Sequence, residues 1–293
     1  MRFLRCGARS TANRWCNMTN KIVLAGVIGS PIAHSKSPQI HRHWLKCYGV
    51  NGDYIPMEVS AADLPEVLSA LPKAGFVGVN ITIPHKEIVL NIADIVTDRA
   101  ALIGAANTLI FRKDGKIHAD NTDGYGFLEN LKLGAPNWDP ATGPATVLGA
   151  GGAARAVISS LLDAGVSEIF LANRTKTRAE KLAEDFGKKV TVVDWVQAGN
   201  IIEEAALLVN TTSLGMHGKQ DMRVPLDGLQ KETVVTDLVY APLRTNLLAT
   251  AEAAGCVTVD GLGMLLHQAV PAFERWFGIR PTVDSATRAA ALG

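Results

Sequence analysis

Cysteine is scarce in this chain, and neither sign of charge is in excess. Four cysteines, Cys6, Cys16, Cys47 and Cys256, are scattered over 293 residues with no CxxC pair. That argues against a disulfide framework or a zinc site and suits reduced thiols in a cytoplasm. Lys and Arg number 29 against 28 Asp and Glu, so nothing global draws the chain to nucleic acid or an anionic membrane. A small-molecule ligand is the default partner. No apolar run approaches the roughly 20 residues needed to span a bilayer, and there is no tandem repeat or low-complexity tract. Acidic residues are missing from positions 1–20, which carry Arg2, Arg5, Arg9 and Arg14. This composition resembles a transit peptide; the simpler reading makes Met18 the start and residues 1–17 an extension that contributes little to the fold.

What is present is an alternation of strands and helices long enough for two domains of ordinary size. Ile22–Ile28 is a short apolar run closed by Gly29, as a buried strand is. Helical character over Pro38–Tyr48, a strand at Tyr54–Val59, a helix at Ala61–Leu71 and a strand at Val77–Ile83 follow. A second series begins at Thr146–Leu148 and continues with a helix over Ala153–Ala164. Its further strands are Glu168–Ala172, Val190–Val193, Leu207–Val209, Val234–Val239 and Val257–Val259. Gly134–Pro144 reads as a linker, and Met264–Phe277 and Ser285–Leu292 are helical again. Such alternation predicts an α/β protein with mainly parallel sheets and right-handed crossovers.

Gly149-Ala150-Gly151-Gly152-Ala153-Ala154 fits G-x-G-x-x-A between a strand and a helix. Gly149 allows the tight turn, Gly151 lets the backbone approach a pyrophosphate, and Ala154 is small enough for helix–sheet packing. The alternative is a plain strand–helix turn. An NAD-selective site places Asp or Glu about 20 residues further on; here that place reads Asn173-Arg174-Thr175-Lys176-Thr177-Arg178. Lys176 and Arg178 in the first turn of a helix capped by Thr175 oppose its dipole, a conflict that an anion repairs. Arg174 and Arg178 are therefore read as a clamp on an adenosine 2'-phosphate, with Asn173 and Thr175 adding hydrogen bonds. The alternative is a solvated basic helix start.

Pro84 stops the strand that ends at Ile83 and suits a helix N1 position, which brings Lys86 to a first turn at the strand's carboxyl end. Taken alone, Lys86 reads as a surface residue, Asp123 as an N-cap to the helical run Tyr125–Leu133, and Gly104–Thr108 as a turn. Their meaning comes from combination. His34-Ser35-Lys36-Ser37-Pro38, Asn80-Ile81-Thr82-Ile83-Pro84-His85-Lys86 and Asn121-Thr122-Asp123-Gly124 resemble, in order and spacing, the motifs of the shikimate dehydrogenase family. Asn210-Thr211-Thr212-Ser213-Leu214-Gly215-Met216 and Gly261-Leu262-Gly263-Met264-Leu265-Leu266-His267-Gln268 extend the resemblance over nearly everything after Lys21.

The resemblance implies an NADP-dependent shikimate dehydrogenase of aromatic biosynthesis, with Lys86 and Asp123 as the acid/base pair at the reacting C3 oxygen. It implies Ser35 and Ser37 at the substrate carboxylate with Tyr240 near them, and Thr82, Asn107 and Gln268 at the ring hydroxyls. Ser37 is also a competent N-cap, Tyr240 a possible core tyrosine and Gln268 a possible surface amide. Thr211, Ser213, Met216, Gly263 and Met264 are expected at the cofactor, the last three bordering the nicotinamide; methionine is also common core filler. The implied architecture is a catalytic domain of residues 18–122 plus 261–293, completed by C-terminal helices, and an inserted Rossmann domain, 123–260. A metal at His34, His41, His43 or His85 is not expected, since two-residue spacing on a helix diverges. The chain is expected to be a monomer or homodimer. Two rival readings remain open, a quinate/shikimate dehydrogenase using NAD and a non-catalytic NADP sensor.

Overall fold

The structure, a computed structural model, describes residues 22–293; the expectations for residues 1–17 and for Met18 lie outside the described residues. Two six-stranded sheets organise the chain. The first contains β1 (Val23–Gly29), β2 (Gly52–Glu58), β3 (Phe76–Ile81), β4 (Ile95–Val96), β5 (Thr108–Phe111) and β6 (Ile117–Asp120), in the order β2-β1-β3-β5-β6-β4. On one face lies α1 (Ser37–Cys47), and on the other α2 (Leu64–Ala70) and α3 (Asp98–Ile103). Then α4 (Asp123–Gly134) leads into the second sheet.

That sheet is assembled from β7 (Ala145–Leu148), β8 (Ile169–Asn173), β9 (Val190–Asp194), β10 (Leu207–Asn210), β11 (Val234–Asp237) and β12 (Val257–Val259). Every ladder in it is parallel. The order β9-β8-β7-β10-β11-β12 is the 3-2-1-4-5-6 arrangement of dinucleotide-binding folds, with its crevice where the order reverses, between β7 and β10. The connections are α5 (Gly152–Ala164), α6 (Lys176–Phe186), α7 (Ala198–Ile202) and α8 (Asn246–Ala253).

The chain returns to the first sheet through α9 (Leu262–Phe277) and α10 (Ser285–Leu292). Leu262, Leu266, Ala269, Phe273 and Trp276 of α9 recur at helical spacing and are buried with Ile40 and Trp44 of α1 and Ala25 and Val27 of β1. Fully burying Phe273 contributes on the order of 3 kcal/mol by area. Gly78 has no side chain, so Trp276 reaches across β3 and its indole N–H donates to Leu109 O at 3.0 Å. Met264 points the other way, into the core that α4 and α5 form over the second sheet.

One sequence expectation holds with an exception and another needs correction. The first sheet is mainly parallel, through the β1–β2, β1–β3 and β4–β6 ladders, but β5 runs antiparallel to both β3 and β6. The strands β4, β5 and β6 are short, and Thr108, His118 and Asp120 interrupt their apolar alternation, so neither strand period nor apolar run announces them. No α-helix follows Pro84. His85 N–H donates to Thr82 O at 2.9 Å and Leu90 N–H to Glu87 O at 3.3 Å. These three-residue closures lead into a single 3-10 turn at Ile88–Asn91. Lys86 therefore sits in a turn with no helix dipole behind it. Because β3 ends at Ile81, Ile83 leaves the buried face and is 73% exposed.

Candidate active site

Lys86, in the turn after β3, and Asp123, the first residue of α4, form an ion pair whose side chains are 17% and 7% exposed. Asp123 was open to a second reading as an N-cap. The cap position belongs instead to Thr122, with no side-chain cap bond, and the Asp123 carboxylate faces Lys86 and Asn107. Asn107 Nδ2 donates to Asp123 Oδ1 at 2.8 Å, and also lies 3.0 Å from Thr122 Oγ1 and from Gln268 Oε1. Its carbonyl accepts from Thr122 N–H at 2.8 Å. Asn121 accepts from Asp123 N–H at 3.0 Å and donates to Ala105 O at 2.8 Å, while Ala106 N–H donates to Lys86 O at 2.8 Å. Three loops are thus cross-tied beneath the pair. Preceding them, buried Asp120 is gripped by Arg99, Thr97 and Arg275. Burial works against its charge, but these partners outweigh burial and hold the carboxyl below its usual range.

A polar path connects this pair to the serines. Asn80 Nδ2 donates to Asn107 O at 3.0 Å, and its carbonyl accepts from the Tyr54 hydroxyl at 2.7 Å. The Tyr54 phenol, which burial pushes well above its ordinary range, also meets the Ser37 side chain. Ser37 is buried and does not cap α1, whose N-cap is Lys36; Ser35 Oγ accepts from Ser37 N–H at 3.4 Å. Gln268, expected as a possible surface amide, is buried, its Nε2 donating to Leu265 O at 3.0 Å. Tyr240 follows β11 but packs against the α1 and α9 core of the first half, and burial raises its phenol. Thr82 is half-buried, its backbone N–H donating to Ile28 O at 2.9 Å. Of the four histidines, His41 stacks on Tyr54 at 4.0 Å with neither ring nitrogen bonded, and burial lowers its pKa to about 3. It is a neutral core aromatic. His85 Nε2 lies 2.8 Å from Val59 O.

The glycine turn stands opposite. Gly149 has φ +111°, and a Cβ there would come within 2.5 Å of Thr211 Oγ1, so both dihedral and space demand glycine. Gly151 is exposed with open space where a Cβ would be; Ala153 is half-buried, and Ala150 and Ala154 are buried. A Cβ on Gly152 would lie 3.7 Å from the aliphatic chain of Lys86. The start of α5, with no side-chain cap and no acidic residue in its first turn, therefore abuts the ion pair. This uncapped backbone and open glycine face suit a pyrophosphate. Thr211 Oγ1 donates to Leu148 O at 2.8 Å, Ser213 is exposed, and Met216 is 38% exposed. At the end of β8, Asn173 Nδ2 donates to Thr175 O at 2.7 Å, and Thr175 caps α6 without a side-chain bond. Arg174 and Arg178 are exposed and, among the described residues, stand in no ion pair. Lys176 is different. Its pairing with Asp194 at 2.8 Å, which raises its pKa, relieves the dipole conflict with protein charge, so that argument for an external anion survives only for Arg178.

Gly263 and Met264, expected beside the nicotinamide, open α9: Gly263 leaves room for Asn130 of α4, and Met264 is buried against the second sheet's core. The indispensable space here is between helices, since a Cβ on Gly126 of α4 would come within 2.6 Å of Gln268 N.

Family models match in chain order: the shikimate dehydrogenase substrate binding domain over residues 27–109, shikimate / quinate 5-dehydrogenase over 138–237, and the shikimate 5'-dehydrogenase C-terminal domain over 261–290. A shikimate dehydrogenase (NADP(+)) of Cereibacter sphaeroides is 71% identical over 272 residues, covering 93% of this chain and 98% of the relative. The chain belongs to the shikimate dehydrogenase family. Among solved structures of the family, the shikimate 5-dehydrogenase of Thermus thermophilus in complex with NADP(H) and shikimate superposes with a TM-score of 0.83 at 39% identity, covering 92% of this chain and 99% of that one. The quinate dehydrogenase of Corynebacterium glutamicum in complex with NAD does so with a TM-score of 0.86 at 34% identity, again over 92% and 99%.

Sequence reading of this family member missed Tyr54, Asp120 and Arg155. Asn80 stood on the polar side of the β3 alternation, a signal that was visible. Tyr54, Asp120 and Arg155 owe their places to partners 26, 155 and 52 residues away, respectively, and no local pattern marks them.

Proposed function

We propose that this chain is an NADP-dependent shikimate dehydrogenase that reversibly reduces 3-dehydroshikimate to shikimate. The observation that carries the reading is the Lys86–Asp123 ion pair lying against Gly152 of the dinucleotide turn. Bound NADPH supplies the hydride to C3. As the carbonyl becomes an alkoxide, the Lys86 ammonium donates a proton to its oxygen; in the reverse direction the amine takes that proton back. Asp123 pairs with and orients the ammonium, and Asn107, donating to the carboxylate, holds Asp123 in place. A proton donor fixed before reaction adds no reorganisation at the transition state.

Ser35, Ser37 and Tyr240 are assigned to the substrate carboxylate, and Thr82, Asn107 and Gln268 to the ring hydroxyls. Residues Gly149, Ala150, Gly151, Gly152 and Ala153 are assigned to the pyrophosphate, and Asn173, Arg174, Thr175 and Arg178 to the 2'-phosphate end. Thr211, Ser213, Met216, Gly263 and Met264 are assigned to the cofactor, the last three on its nicotinamide side. In this reading residues 18–122 with 261–293 hold substrate and 123–260 hold NADP. Among the described residues no helix is long and apolar enough to cross a membrane; a cytoplasmic monomer or homodimer is part of the proposal, checked by sedimentation.

The deciding experiment follows reduced nicotinamide by absorbance, with shikimate and NADP or NAD in parallel. Lys86→Ala is expected to lower turnover about 10²- to 10⁴-fold with the fold preserved. Unchanged turnover refutes the role of Lys86. The similarity to an NAD-bound quinate dehydrogenase favours a second reading of broader substrate use, and quinate in the same assay separates the two. Cofactor binding without any turnover would favour a sensor.

A further inference from the structure

Arg155 of α5 lies three residues beyond Gly152, and its backbone N–H donates to Gly151 O at 3.1 Å. Its side chain bridges the two halves. Nε donates to Ile103 O, the last carbonyl of α3. Nη2 donates to Asp185 Oδ2 at 2.6 Å, and only 11% of the side chain is exposed. The landing place is shaped for it: Gly104 has φ +70°, and a Cβ there would come within 2.6 Å of Arg155 Nη2. Next to it, Ala156 of α5 closes a small apolar contact with Ile103 and Ala105. Gly124, directly after Asp123, similarly admits the backbone of α5, since a Cβ there would lie 3.1 Å from Ala156 O.

The segment that Arg155 grips is the one that holds the ion pair. Immediately after Gly104, Ala105 O accepts from Asn121, Ala106 N–H donates to Lys86 O, and Asn107 Nδ2 donates to Asp123 Oδ1. A guanidinium fork can bond a carbonyl and a carboxylate at once, whereas an ammonium is a point charge that serves one of them well. If Arg155 were needed for packing alone, its pairing with Asp185 within the second half would suffice, and a bond across to α3 would be superfluous.

We infer that Arg155 is a positioning residue: by tying the C-terminus of α3 to the helix that starts at the dinucleotide turn, it sets the distance between the reacting nicotinamide and the Lys86–Asp123 pair. This rests on the proposed function. Misplacement of reacting groups by about 1 Å costs on the order of 10²-fold in rate, so both Arg155→Lys and Arg155→Ala are expected to lower kcat roughly 10- to 100-fold. The readout that separates positioning from mere stability is the deuterium isotope effect on kcat with NADPH deuterated at the transferred position. It should rise toward its intrinsic value in both variants, while the Kd for NADP stays within about twofold of the unaltered protein. Asp185→Ala, which removes the ion pair and leaves the bond to Ile103, is the control, with kcat retained within about threefold and a melting temperature as low as that of Arg155→Lys. Should Arg155→Ala fail to fold, Arg155→Lys carries the comparison. An unchanged kcat and isotope effect overturn the inference, as does a fall in kcat matched by weaker NADP binding. If the unaltered protein itself does not turn over shikimate, the proposed function fails and this inference with it; an active protein matched by Arg155→Lys removes Arg155 alone.

Discussion

The two sheets carry their sites in different ways. On the second, what faces the dinucleotide is backbone: Gly149 at φ +111°, the open Gly151 and the first turn of α5, all within a few residues of one another. On the first, the site consists of side chains brought from β3, the β5 entry, α4 and α9, joined by a buried polar network. A backbone site depends on local geometry and tolerates changes in distant packing. A side-chain network has each member satisfied by another, so loss of one leaves buried groups unpaired. The contrast predicts that changes in the polar network strike turnover, and that changes at the residues facing the dinucleotide strike cofactor binding and choice.

The hardest test of that contrast is Asp123→Ala, which leaves Lys86 without its carboxylate and removes the Asn107 bond to Asp123 Oδ1. Turnover should drop about 10²- to 10⁴-fold with NADP affinity little changed; a variant that loses NADP binding instead would break the division between sheets. Next in size is an acid effect in the first half. His41 is neutral in the fold with a pKa of about 3 and takes up a proton near 6.5 when unfolded. Its contribution is therefore complete above pH 6.5 and is lost as pH falls, by about 1.4 kcal/mol per unit. Denaturant titrations from pH 7 to 4 should show His41→Phe losing less stability than the unaltered chain, and parallel curves would refute this.

The second half holds the opposite case. Burial raises the Asp237 carboxyl from 3.8 to about 6, against the bonds from Val239 N–H, Thr245 and Asn210. A raised carboxyl favours the fold below pH 3.8 and loses that contribution as pH rises through 6, about 3 kcal/mol in all. Asp237→Asn should accordingly flatten the decline between pH 4 and 6 in the same titrations, and a steeper decline would contradict it. The smallest effect expected is Arg174→Ala, which should raise the KM for NADP about 10-fold while sparing NAD. Equal effects on both cofactors would take the 2'-phosphate away from Arg174.

Legibility followed the same division. The β7 turn, its glycines, the basic Asn173–Arg178 stretch and nearly all strands of the second sheet were readable, because each is a run of neighbours with a period or a dihedral requirement. In the first sheet, β4 to β6 escaped notice, since two- and four-residue strands with polar members carry no periodic signal. The motif residues Lys86, Asn107, Asp123 and Gln268 were named from resemblance. Their mutual bonds, and the failure of Asp123 and Ser37 to act as caps, could not be read from spacing.

By itself the order of residues determined the elements of the second sheet, the dinucleotide turn and the family, because local backbone preferences and short motifs lie within a few neighbours. Only the tertiary structure decided that Lys86 sits in a turn and not at a helix start, that Lys176 is neutralised by Asp194, and that Arg155 bridges the two sheets. Each of these depends on which distant group desolvates or pairs a charge, and that is settled when the chain packs.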